Sequence, residues 1–166
     1  MSFTTWDSSA ASAVNDIYGL IRKKPRVSLQ DIRLDFDEFI DEMFHIPAGY
    51  AEARTKWTII GANALEWGIA NDFKINEDTL VKILVRKQRD YGHENISRFG
   101  RQGLMVRMHD KIARLENLVN NGRTPENESV SDTIIDIAGY AAIGIMWESR
   151  QFLLPLEKVN TPGLAV

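Results

Sequence analysis

Apolar residues recur along this chain at intervals of three and four, and no segment alternates clearly with a period of two. Such spacing gathers them on one side of an α-helix, where successive residues turn by about 100°. The pattern predicts a first helix over 8–23 with Asp7 or Ser8 as its N-cap, followed by a break at Pro25. A second helix fits Leu29 to Phe44, with Leu34, Ile40 and Met43 among its apolar positions. Pro47 and Gly49 interrupt the chain before a third, Tyr50 to Ala70, which carries Trp57, Ile60, Ala64 and Trp67. Asn76 suits the N-cap of a fourth helix from Glu77 to Arg89. The next stretch, DYGHENISRFG, holds two glycines and reads as a loop. A fifth helix follows over Gln102 to Val119, then the turn-rich connector NNGRTPENES. The last long helix starts near Ser129 or Ser131 and ends before Pro155, and the tail VNTPGLAV reads as irregular. Helices without strands predict an all-α protein, a bundle of five to six helices.

Two of these helices carry the candidate chemistry. On the fifth, Leu104, Met105, Met108, Ile112, Leu115 and Val119 fall in one arc of about 100°, a stripe for the core. Arg107, Asp110, Lys111 and Arg114 share a neighbouring arc and form one column on the helix surface. The last helix is apolar on every side from 132 to 147, except at Asp132, Asp136 and the phenol of Tyr140. A helix of that kind belongs in the middle of a bundle or at a subunit interface. Its two aspartates lie about 40° apart, and one more turn backward adds Glu128 to their column.

Neighbouring carboxylates in an apolar setting repel and need a cation or a proton. Three arrangements supply one. The aspartates sit near the helix start, partly wet and favoured by the macrodipole, which suits Asp132 better than Asp136. Alternatively they pair with Lys111 and Arg114 in a buried ion network, or they hold a divalent cation with Asp110, leaving Arg107, Lys111 and Arg114 for phosphate oxygens. The residues alone leave the network and the metal site open.

Composition narrows the setting. At 166 residues, 44% hydrophobic and 26% charged, the chain reads as one soluble globular unit with a sizeable core. A net charge of −3 gives no strong nucleic-acid signal. The absence of cysteine excludes disulfides and thiolate metal sites and suits a reducing compartment. MSFTTWDSSAASAV does not read as a secretory signal, and no apolar run reads as long and charge-free enough to span a bilayer. The expected location is cytoplasmic, with no membrane partner.

The run KQRDYGHENISRFGRQGLMVRMHDKIARLENL, followed by ESVSDTIIDIAGYAAIGIM, resembles the nucleotide modification associated domain found in phage genomes. That domain is similar to the MazG-like all-α nucleoside triphosphate pyrophosphohydrolases. The resemblance covers about residues 80–148 and rests on Lys87, Asp90-Tyr91-Gly92, Asn95, Phe99-Gly100, Gly103, Arg107, Asp110-Lys111, Arg114, Asp132-Thr133, Asp136 and Tyr140. It implies a MazG-like helical core over 76–155, with residues 1–75 as an N-terminal helical extension packed on it and 156–166 as a tail. It implies a homo-oligomer that binds a nucleotide through magnesium, or manganese in its place, in the cytoplasm of the host if a phage encodes it. Asp110, Asp132, Asp136 and Glu128 would be metal ligands, with Asp110 and Asp136 catalytic. Lys87, Arg107, Lys111 and Arg114 would face phosphates, and Tyr91, His93 and Asn95 the base or sugar. The chain departs from the family's dense acidic motifs, since Asp110 stands alone on its column and Glu116 points to the opposite side.

Remaining features have plainer readings. The acidic run DFDEFIDEMF, with Glu38, Asp41 and Glu42, reads as a solvated helix face with no facing basic partner. Trp57, Trp67 and Trp147 read as core or subunit interface. The functional expectation is therefore a nucleoside or deoxynucleoside triphosphate pyrophosphohydrolase. The alternatives are a non-catalytic protein that sequesters a nucleotide or signal molecule, and a structural helical oligomer.

Overall fold

The computed structural model describes residues 2–21, 27–45, 49–122 and 129–158. Among these residues the protein is all-α, with seven helices and no strand. They are α1 (Trp6–Ile21), α2 (Leu29–His45), α3 (Tyr50–Ala70), α4 (Glu77–Tyr91), α5 (Glu94–Ser97), α6 (Gly100–Asn120) and α7 (Val130–Glu148). The breaks assigned to Pro25 and Pro47, the candidate ligand Glu128 and the tail 159–166 lie outside the described residues.

Helices α3 and α7 are the centre of the bundle and each other's most extensive partners. Their sequences are rich in small residues where they cross. A Cβ on Gly68 would lie 3.2 Å from Ile134, one on Gly61 would lie 2.8 Å from Ala141, and one on Gly144 would overlap the ring of Trp57. Contact positions descend along α3 as they ascend along α7, so the two run antiparallel. Around this pair, α1 packs on α3, α4 and α7, α2 on α3, and α6 on α7. One continuous apolar cluster includes Trp6 and Ile17 of α1, Phe36 and Phe39 of α2, Trp57 of α3, and Met108 and Ile137 further along the chain. Residues 1–75 thus contribute α7's main partner, α3, to that common core.

Helix α7 is long and apolar enough by composition to cross a membrane, contrary to the expectation that no such run exists. In the fold its apolar side chains Ile134, Ile137, Ala141 and Met146 are buried against its neighbours.

The elements begin and end for local reasons. Asn76 Oδ1 accepts hydrogen bonds from the N–H groups of Asp78 at 2.8 Å and Thr79 at 3.4 Å, as expected of its N-cap. Helix α1 starts earlier than expected, at Trp6, because Thr5 Oγ1 accepts from Ser8 N at 3.2 Å. Asp7 lies inside the first turn and accepts instead from Glu157 N at 3.0 Å. Helix α4 runs on to Tyr91, where Gly92 ends it with φ of 70°. The stretch expected as loop contains the single turn α5, with Ile96 buried. Val119, read as part of the core stripe, is exposed, and so is the apolar Leu34; Ile32, Phe36 and Phe39 fill the core side of α2, and Leu118 is buried on α6.

Two polar ties close the bundle. Arg101 Nε and Nη2 hold the buried Glu148 carboxylate at 2.5 and 2.7 Å, joining the start of α6 to the end of α7. The segment after α7 folds back over the start of α1: Trp6 N donates to Pro155 O at 2.8 Å and Ser9 Oγ to Gln151 Oε1 at 2.6 Å. Phe152, buried, meets Trp6 edge-on at 6.2 Å.

Two glycines give opposite expectations. Gly144→Ala should destabilise the protein by about 1–3 kcal/mol through overpacking against Trp57. Gly19→Ala, in α1 with open space around its Cβ, should stabilise it by about 0.4–1 kcal/mol. Urea denaturation midpoints of both variants check the pair.

Candidate functional site

Helix α4 packs mainly on α1 and touches α7 only lightly. The space it leaves beside α6 and α7 is a groove with a cavity of about 240 Å³. Its apolar wall comes from Ile83 and Leu84 of α4, Ile96 of α5, and Ile135 and Ile143 of α7. Gly139 lets α4 approach, since a Cβ there would sit 3.1 Å from Leu84 Cδ2.

Across the groove runs a chain of charge. Asp136 stands on α7 with its side chain 13% exposed. Lys87 Nζ of α4 reaches Asp136 Oδ1 at 2.9 Å, and Lys111 Nζ of α6 reaches Oδ2 at 2.9 Å. Each carboxylate oxygen therefore has its own ammonium group, one from either wall. A carboxylate this buried is retained because both charges meet it at hydrogen-bond distance. Arg107 lines the same cavity and donates from Nη2 to the main-chain oxygen of Asn95 at 3.3 Å, which fastens α5 to α6. Tyr91, 67% exposed, and Tyr140 of α7 add two phenol rings to the lining.

The lining thus brings together Lys87, Tyr91, Asn95, Arg107, Lys111 and Asp136 of the residues expected in a site. The others lie elsewhere. Asp110 has a side chain 74% exposed, 3.9 Å from His109 Nδ1, and does not line the groove. Asp132 is occupied by the helix start: its Oδ2 accepts from Ser129 N at 3.2 Å and Ser129 Oγ at 2.8 Å, while Ser129 Oγ accepts from Asp132 N at 3.0 Å. That is a capping box, and the wet helix-start arrangement describes Asp132. Arg114 Nε donates to the hydroxyl of buried Thr133 at 3.2 Å, and Arg114 does not line the groove. His93 is held at 2.8 Å by Gln88 Nε2 and packs edge-on against Phe152 at 5.6 Å, which makes it part of the wall's support.

Among the described residues, no group of three or more histidine, aspartate or glutamate side chains is placed to hold a metal ion. The set Asp110, Asp132 and Asp136 does not fit a magnesium or manganese ion here, because one member faces solvent and another is spent on the cap. The acidic run of α2 also differs from expectation, for it does have a facing cation: Lys56 Nζ of α3 lies 3.1 Å from Glu38 and 3.4 Å from Glu42.

Gln88 was not expected in the site, yet it is buried and lines the groove. Its signal is a polar residue in the core stripe Leu80, Leu84, Gln88 of α4.

The cap is open to a direct check. Asp132→Ala should lower stability by about 1 kcal/mol, the usual worth of such a cap. The Ser129 hydroxyl, then its N–H, hold the Asp132 carboxyl below the ordinary aspartate range. A depressed folded value means the contribution is present above about pH 3.9 and is lost as pH falls through that folded value. The gap in Tm between parent and variant should therefore be constant near neutrality and narrow below pH 4 in thermal melts.

Compared with models of protein families, with curated proteins and with solved structures, the chain has no match to any of the three.

Proposed function

We propose that the groove binds a phosphorylated small molecule of the nucleotide class. The observation that carries this reading is the convergence of Lys87 and Lys111 on one carboxylate inside a cavity that Arg107 also lines. Three cations against one carboxylate leave the lining with a formal excess of two positive charges. Asp136 acts as a resident anion that keeps both ammonium groups aimed at the same point. A phosphate brings more charge and more acceptor oxygens than one carboxylate, so it competes for those donors. Beside the charges, Tyr91 and Tyr140 with Ile83 and Ile143 offer flat and apolar surface to a base. The setting proposed is the cytoplasm, where nucleotides are abundant.

Hydrolysis of a nucleoside triphosphate to its monophosphate and pyrophosphate is the second reading. It is supported by the resemblance over 80–148 and by Asp136, which lines the cavity and whose carboxylate would orient a water once a ligand draws its lysines away.

Calorimetric titration with nucleoside mono- and triphosphates, paired with a pyrophosphate-release assay, tests both. Lys87→Ala and Lys111→Ala should each weaken binding by about tenfold or more, the scale of one charge-assisted hydrogen bond. Asp136→Asn should bind at least as tightly as the parent, because its lysines are released to the ligand. Loss of binding in that variant would overturn the role given to Asp136. Turnover in the parent that disappears in Asp136→Asn, with binding kept, would establish hydrolysis.

A further inference from the structure

One residue of the groove's lining, Asn95, carries a buried acceptor without a partner. Asn95 Oδ1 has essentially no solvent exposure and no hydrogen bond. Trp6 Nε1, Trp57 Nε1 and Glu42 Oε2 are in the same condition, but none of them lines the groove, whereas Asn95 does. Leaving a buried carbonyl unpaired costs about 1–3 kcal/mol, so a fold keeps one where something else completes it.

The backbone around Asn95 is fixed. Its neighbour Ile96 is buried in the core, and its own main-chain oxygen accepts from Arg107. The turn is closed by Ser97, whose N–H and hydroxyl donate to His93 O at 3.0 and 2.9 Å. His93 is in turn held by Gln88 and Phe152. Asn95 thus stands on a braced single turn, tied through Arg107 to the cationic side of the groove.

Resting on the reading of the groove as a phosphate-ligand site, we infer that Asn95 is its specificity-determining residue, whose side-chain oxygen accepts a hydrogen bond from an N–H or O–H donor on the ligand's base or sugar. The division of labour is physical. Ammonium and guanidinium groups attract any phosphate and discriminate little between its substituents. A buried acceptor discriminates strongly, because a ligand lacking the donor leaves the oxygen unpaired in a site from which water has been displaced. The donor belongs to the organic part of the ligand, since a phosphate oxygen at neutral pH offers Asn95 no hydrogen.

The experiment measures Kd for inorganic tripolyphosphate and for three nucleotide pairs on parent protein, Asn95→Leu and Asn95→Asp. The pairs are dCTP against dUTP, ATP against dATP, and dATP against its 3′-deoxy analogue. They exchange cytosine's exocyclic amine for uracil's ring N–H, remove a 2′-hydroxyl and remove a 3′-hydroxyl. One member of at least one pair should bind the parent about tenfold or more tightly than its mate. Asn95→Leu should abolish that preference while leaving tripolyphosphate affinity unchanged. Asn95→Asp keeps an acceptor, so it should retain the preference while weakening every phosphate ligand through its charge, and it decides the matter if the leucine variant does not fold. Equal affinities within every parent pair would overturn the inference and mark the oxygen as satisfied by water. Loss of the preference in Asn95→Asp as well as in Asn95→Leu would also overturn it, by placing the amide N–H there. Failure of tripolyphosphate and all nucleotides to bind the parent would overturn the groove's function itself, a result distinct from binding without discrimination.

Discussion

The close crossing of α3 and α7 is the constraint on which the remaining structure depends. Gly61 meets Ala141 and Gly144 accepts the face of Trp57, so two long helices approach without side chains between their backbones at these points. Burial at that crossing exploits shape as well as area, because interiors are packed nearly as densely as organic crystals. It also fixes the rotation of α7 about its axis. Once Ile134, Ile137 and Ala141 face inward, Asp136, Tyr140 and Ile143 must emerge on the side left to α4 and α6. The groove's floor is thus set by glycines that never touch it.

Polar groups are then used to orient helices whose apolar faces would accept several arrangements. Arg101 with Glu148 and Lys111 with Asp136 pair α6 with α7 along one seam, and Arg114 reaches Thr133 further along it. Residue numbers fall on α7 as they rise on α6, which specifies an antiparallel register. Breaking such a buried pair is more damaging than never having it, because one charge is left without a partner. The groove differs from this seam in one respect. There the carboxylate is shared by two ammonium groups from separate walls, and Lys87, half exposed, is the member with room to move.

Much of this was legible in the sequence, and the failures have geometric causes. The three-to-four spacing located every long helix, and the caps at Asn76 and Ser129 stand where their side-chain chemistry places them. The pairing of Lys111 with Asp136 was one of the arrangements the residues allowed, and Arg114 reaches the hydroxyl of Thr133 on the same helix. Asp110 misled because a helical wheel groups residues into arcs without saying which edge faces the neighbour. It lies about 100° from Lys111, so when the lysine turns into the groove the aspartate turns out to solvent. Asp132 is three residues beyond Ser129, a spacing that serves a capping box as well as a ligand set. Lys87 and Asn95 carry no periodic signal toward α7 or α6, since their meeting depends on how α4 docks. Periodicity within one helix does not record that.

The fold-back after α7 ties the groove wall to a part of the fold that does not line it. Gln151, Phe152 and Pro155 bind the first turn of α1, and Phe152 also supports His93 behind the groove wall. In chain order this segment follows every residue that lines the groove. Helix α5 therefore gains this prop only where α7 is already seated in the core. Bracing of the groove wall is thereby coupled to the docking of the same segment on the first turn of α1.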